Sequence, residues 1–431
     1  MPRATLRSLG LAGLTTTALA AGLVAPTTAP AGAVTGPGPH LVADLSPGRS
    51  GIEVDTGAVA RLGNRLFFGA WTAETGTELF VTDGTATGTH VVRDVVPGTA
   101  GSQPQQLLAF GDRIYYAAQD ESGDTELWTT DGTEAGTRRV LDIDPTASSR
   151  PRELISLGDR FLFVTSQDAV RGPELWTSQG TATTTKPLTA TDLSSIDTPV
   201  RLGSTVVFAG TGDAGTEPYA VDPATGTVTL LRDIAPGSGG SLPYNLRQAA
   251  ALGGSLYFAA RSGDTQGTEV WRTNGTPAGT ALVKDVYPGA SSSNPNGFRV
   301  LGTTLYFAAQ DGTSGQELWK SDGTAAGTVL VRDSAPGASS SSPQPGTALG
   351  SALTFIAFTE DTGWELWTSH GTAASTARVA DIAPGRRRRT HAGSVPGSGS
   401  SCRSRWPAAR AHRREPSRSS APGPPSGQRD W

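Results

Sequence analysis

The sequence predicts an all-β protein, an array of seven stacked four-stranded repeats of about 48 residues each. Three observations predict it. A Glu followed by two apolar residues recurs at Glu78-Leu79-Phe80, Glu126-Leu127-Trp128, Glu174-Leu175-Trp176, Glu269-Val270-Trp271, Glu317-Leu318-Trp319 and Glu365-Leu366-Trp367, with a degenerate copy at Glu217-Pro218-Tyr219. Successive Glu positions are 48, 48, 43, 52, 48 and 48 residues apart. A second marker, Val-x-Asp-(Ile/Leu/Val)-x-Pro-Gly, falls near Asp44, Asp94, Asp142, Asp192, Asp233, Asp285, Asp333 and Asp381. The third is composition: 55 Gly and 30 Pro suit many short strands joined by tight turns, and amphipathic helical runs are scarce.

Each unit reads as four strands. The first is a short apolar stretch before Leu-Gly or its equivalent, as in Gln106-Leu107-Leu108-Ala109-Phe110-Gly111. The second is a continuous apolar run such as Ile114–Ala118, Leu256–Ala260 or Leu305–Ala309, which between turn residues suits a strand buried on both faces. In the third, alternation puts Glu126, Trp128 and Thr130 on one face and Leu127 and Thr129 on the other. Asp-Gly-Thr then breaks that strand at Asp83, Asp131 and Asp322, with Asn274 substituting once, because Gly takes a positive φ without steric cost. The loop closes at Gly-Thr, the fourth strand is expected to carry Val-x-Asp-Ile, and Pro-Gly ends it. Four such strands with their loops make one blade of a propeller-like array. Units three and four are eroded: Ser178-Gln179-Gly180 replaces Thr-Asp-Gly, and Pro218 stands where Leu belongs.

Eight Val-x-Asp markers accompany seven Glu markers, since Leu41–Gly48 supplies a fourth-strand motif with no blade before it. A ring closes best when an N-terminal strand completes the last blade, so the expectation is an eight-bladed ring truncated after Gly385. Residues 386–431 carry Arg, Pro, Ser, Gly and Ala without strand pattern, and read as a frameshift product or a disordered basic tail. The expected division is therefore a signal peptide at 1–33, a propeller-like domain at 34–385 and this tail. Arg3 and Arg7, the apolar run Leu9–Val24 and Ala31-Gly32-Ala33 carry the signal-peptide reading and imply export. With Cys402 the only cysteine, neither a disulfide framework nor a cysteine metal site is expected. The formal charge of −4 divides into about +9 on the tail and about −13 on the rest, an acidic body unsuited to nucleic acid.

These motifs resemble the ELWxxDGT-repeat family of secreted bacterial proteins over Leu41–Gly385. The resemblance implies an exported β-repeat array and brings no catalytic residues. The five histidines repeat in no register, and no nucleophile elbow, zinc-protease motif or phosphate loop appears. Carboxylates are the remaining acid–base candidates, but a Glu present in every unit is expected to bond neighbouring backbone or hydroxyls. Likewise Trp128, Trp176, Trp271, Trp319 and Trp367 are expected to fill the core between blades. No cofactor is expected. Calcium is the one ion considered, at acidic loops such as Asp120–Asp124 and Asp311–Gly315, where turn chemistry explains the same residues. The functional expectation is a monomeric, non-enzymatic module presenting loops to a protein or glycan, without membrane insertion after signal cleavage. The alternatives are an extracellular hydrolase or lyase with carboxylates at a channel mouth, or a non-functional remnant.

Overall fold

The computed structural model describes residues 54–166, 172–189, 191–237, 239–263 and 266–382. The expected signal peptide, the motif around Asp44 and the tail lie outside the described residues. Seven four-stranded antiparallel sheets follow one another, each a meander whose strands pair in sequence order. They span 54–91, 105–141, 152–189, 195–230, 250–284, 296–332 and 344–378, here blades 1 to 7. The first strands of blades 1 to 4 are neighbours in turn, as are those of blades 5 to 7. The fold is thus all-β and propeller-like, and the eroded third and fourth units still form complete sheets.

Blade 6 shows how the repeat folds. Its strands are Asn296–Leu301, Thr304–Gln310, Gln316–Ser321 and Val329–Arg332. Leu305–Ala309 is buried throughout, as the continuous apolar run predicts. The fourth strand differs from expectation. It ends at Arg332, one residue before Asp333, so the Asp and the residue after it lie in the following loop. The reason is the neighbouring carboxylate: the backbone N–H groups of Ser334 and Ala335 donate to Glu317 (3.0 and 3.2 Å), which turns the chain out of the ladder.

The Asp-Gly-Thr loop is held by its own side chains. Asp131 Oδ1 accepts the N–H and the hydroxyl of Thr133 at 2.9 and 2.7 Å, an Asx-type turn. Thr137 of Gly-Thr then bonds the Thr130 hydroxyl at 2.8 Å and the Thr133 carbonyl at 2.7 Å. A Cβ on Gly136 would fall on the Asp131 carboxylate, so the Asp and the Gly five residues later require each other. Blade 3 loses both together, Gln179 and Thr184 standing in their places, and Thr184 Oγ1 accepts the Gln179 N–H instead. Blade 7 repeats the exchange with His370 and Ser375.

Six apolar clusters fill the six interfaces between consecutive blades. At the last of them Leu318 of blade 6 meets Leu353, Phe355 and Trp367 of blade 7. The Leu of each Glu-Leu-Trp therefore faces the following blade and the Trp faces the preceding one. Among the described residues no cluster joins blade 7 to blade 1. Leu366 and Ile356 of blade 7 are 37% and 45% exposed, where their blade 6 counterparts Leu318 and Ala308 are fully buried. On blade 1, Leu66 is 40% exposed where its counterpart Leu305 is buried.

Candidate functional site

The repeated polar residues of blades 1, 2, 4, 5 and 6 lie in networks that tie each of these blades to the next. Glu78, Glu126, Glu217, Glu269 and Glu317 are fully buried, and Glu365 nearly so. Glu317 accepts the Ser341 hydroxyl (2.6 Å), the Ser341 N–H (2.9 Å) and the two N–H groups already named. Ser102, Ser149, Ser241 and Ser293 donate their hydroxyls in the same way to Glu78, Glu126, Glu217 and Glu269. Each Ser lies in the connection to the next blade, three residues before its first strand except at Ser241, which is nine before, so the Glu clamps the connection between blades. Burial pushes these five carboxyls above the usual carboxylate range, and the donated hydrogen bonds pull them back toward it. Glu174 accepts the Trp176 indole N–H at 3.1 Å.

The five Trp rings are 4–7% exposed, each between its own blade and the one before. A cation from the preceding blade covers several of them. Arg232, Lys284 and Arg332 lie 5.4–5.8 Å from the ring centres of Trp271, Trp319 and Trp367. The same three groups donate to the carbonyls of Thr280, Thr328 and Thr376 in the next blade. Asp83, Asp131 and Asp322 are turn residues whose carboxyls are held below the usual range, first by the Thr hydroxyl two residues on.

Two residue sets escaped sequence reasoning. The serines sit 24 residues after Glu78, Glu217, Glu269 and Glu317 and 23 after Glu126. A Ser-x-Pro signature marks all five, at Ser102, Ser149, Ser241, Ser293 and Ser341, inside Gly/Ser-rich runs that read as plain linkers. The cation inside Val-x-Asp was visible at Arg93, Arg232, Lys284 and Arg332, but one sequence does not say which blade it serves.

Among the described residues, Asp124, Glu126 and Asp142 form the one group whose carboxylates come within metal-binding distance of each other. Arg139 occupies that position electrostatically, 3.2 Å from Asp124, 3.3 Å from Asp142 and 3.6 Å from Asp120. Glu126 is meanwhile engaged by Ile143 and Ser149.

Among the described residues, clefts open between blades at two places relevant here. One of 490 Å³ lies between blades 2 and 3, where Gln106 accepts the Glu153 N–H at 2.9 Å and Arg152 bonds Ser166 and the Ile196 carbonyl. The other, of 580 Å³, lies between blades 6 and 7 and is lined by Arg332, Ser334, Glu360, Asp361, Trp367 and Arg378 among others.

No family model and no curated protein sequence matches the chain. Among solved structures it is similar to a prolyl endopeptidase studied for inter-domain dynamics in catalysis and specificity (13% identity, TM-score 0.44), over 76% of this chain and 49% of that one. It is similar to oligopeptidase B from Leishmania major (13% identity, TM-score 0.42), over 76% of this chain and 48% of that one. It is also similar to a chain of a nidogen/laminin complex (12% identity, TM-score 0.31), over 60% of this chain and 88% of that one. The chain spans about half the length of the two peptidases.

Proposed function

We propose that this chain is an exported, non-enzymatic binding and scaffolding protein of the ELWxxDGT-repeat type, presenting blade-specific surfaces to a protein or glycan. One observation carries the reading. Buried repeat carboxylates are engaged as acceptors from Ser hydroxyls and backbone N–H groups, and the repeated Trp side chains are buried between blades. Residues held this way have no open side to offer a substrate, so recognition falls to positions where individual blades depart from the repeat.

The test is saturable retention of the full chain on immobilised cell-wall glycan or on a surface-protein extract, with soluble products followed in parallel. Retention without turnover supports the reading. Turnover that disappears on changing one carboxylate, with the fold intact by circular dichroism, overturns it in favour of a hydrolase or lyase.

A further inference from the structure

Position 334 departs from the repeat. The residue after the Val-x-Asp aspartate is Val95, Ile143, Leu193, Ile234, Val286 and Ile382 elsewhere, and Ser334 in blade 6 alone. Ser334 is only 9% exposed, and its hydroxyl is buried without a hydrogen-bond partner. Beside it in the 580 Å³ cleft lies Trp367, 6% exposed, whose indole N–H is also buried and unpartnered. An unpartnered indole N–H recurs at Trp128, Trp271 and Trp319, but there the neighbouring position is the apolar Val95, Ile234 or Val286. Tyr116 and Trp128 between blades 1 and 2 also leave a hydroxyl and an indole N–H unpartnered, but neither lines either of the two clefts described above, whereas Ser334 and Trp367 both line the cleft between blades 6 and 7.

Buried polar groups without partners are costly and few, and they mark places where a further polar molecule completes the bonding. A trapped apolar group would leave both orphans unsatisfied. Arg332 and Arg378 balance Glu360 and Asp361 on the cleft wall, so neither an anion nor a cation gains from the summed charge. A hydroxyl group both donates and accepts, which suits the indole N–H, the Ser hydroxyl and charges of both signs at once. The volume lies within the range of small-ligand sites.

We propose that the cleft between blades 6 and 7 binds an uncharged carbohydrate unit, with Ser334 and the Trp367 indole N–H as its inner hydrogen-bonding groups. The charged residues at the wall address the remaining hydroxyls. This assignment rests on the binding reading above and gives it a place and a ligand class.

The experiment is saturation-transfer NMR of the full chain with cellobiose, maltose, lactose and chitobiose, and with acetate and phosphate as charged controls. Two variants accompany it. Ser334→Ile restores an apolar residue of the repeat and replaces the hydroxyl with a bulkier side chain at the cleft wall; Trp367→Phe removes the N–H and keeps an aromatic core. The expected result is saturable binding of at least one disaccharide. Each variant should weaken it tenfold or more, while the melting temperature of Ser334→Ile is unchanged or higher. Equal binding by wild type and Ser334→Ile overturns this site and leaves the wider binding reading standing. Binding of acetate or phosphate in preference to every disaccharide overturns the ligand class. Binding of none of the six overturns the proposal, and retention on a protein extract would then keep the general reading alive.

Discussion

Leu318 and Leu366 are the same residue of consecutive repeats, and truncating each to Ala asks whether anything covers the forward face of blade 7. Leu318 is fully buried against Leu353, Phe355 and Trp367, so Leu318→Ala removes a side chain packed on all sides. A core Leu→Ala change costs about 2–5 kcal/mol, the transfer term plus the cavity left behind. Leu366 packs on one side only and keeps 37% of its surface in water. Its truncation leaves an open face rather than a cavity, and is expected to cost about 1 kcal/mol. Both variants would be unfolded in urea and followed by tryptophan fluorescence and circular dichroism together. Coincidence of the two probes is checked because arrays of repeats can unfold in stages. Low protein concentration guards against a second copy covering the face, since a partner that binds only the folded state stabilises it by mass action. If Leu366→Ala costs as much as Leu318→Ala at low concentration, blade 7 is covered within the chain and the exposed-face reasoning fails. If the costs converge only as concentration rises, the face is an interface between copies.

Three further outcomes follow from the same packing. Trp319→Ala is expected to cost about 3–5 kcal/mol by thermal or urea unfolding, as for a large core truncation, because the ring fills the interface with blade 5. Tyr116 stands where the other blades carry Phe, and its hydroxyl is buried without a partner. Tyr116→Phe removes an unsatisfied group worth about 1–3 kcal/mol, so it is expected to raise the melting temperature; a fall would mean that the hydroxyl has a partner in solution. The buried Glu carboxyls have folded-state pKa values raised above 4.5, so their protons are held more tightly in the folded chain than in the unfolded one. The resulting stability is fully present below pH 4.5 and is lost as pH rises through the folded values, giving a melting temperature that declines from mildly acidic toward neutral pH. Glu317→Gln should flatten that decline, and an unchanged pH profile would show that the hydrogen bonds, not burial, set its ionisation.

The parts of the fold legible in the sequence were those written in one short window. The second and third strands of blade 2, expected at Ile114–Ala118 and around Thr125–Thr130, are found at Arg113–Gln119 and Thr125–Thr130. Period-two alternation and a turn signal suffice for that, because both act between residues a few positions apart. The Glu partner was not legible, since Ser341 is 24 residues from Glu317 and belongs to a Ser-rich run of composition common to linkers. The early end of the fourth strand has the same origin: the N–H of Ser334 leaves the ladder for Glu317, a choice that no local propensity records.

Blade-specific departures carry a different kind of information, and the loops show how to sort them. Gln179 with Thr184, and His370 with Ser375, look like erosion, yet each pair changes together. An Asp side chain and a Cβ five residues later would compete for one space, and removing both relieves the conflict. Such paired changes restore the loop and need no ligand to explain them. Ser334 is unpaired: nothing nearby changes to accept its hydroxyl, and the cleft beside it stays open. Structural drift in a packed array tends toward compensation, because an uncompensated buried polar group lowers stability by itself. Tyr116 and Ser334 both leave that cost standing, but of the two only Ser334 lines one of the clefts described above, so it is there that something outside the chain is expected to complete the bonding.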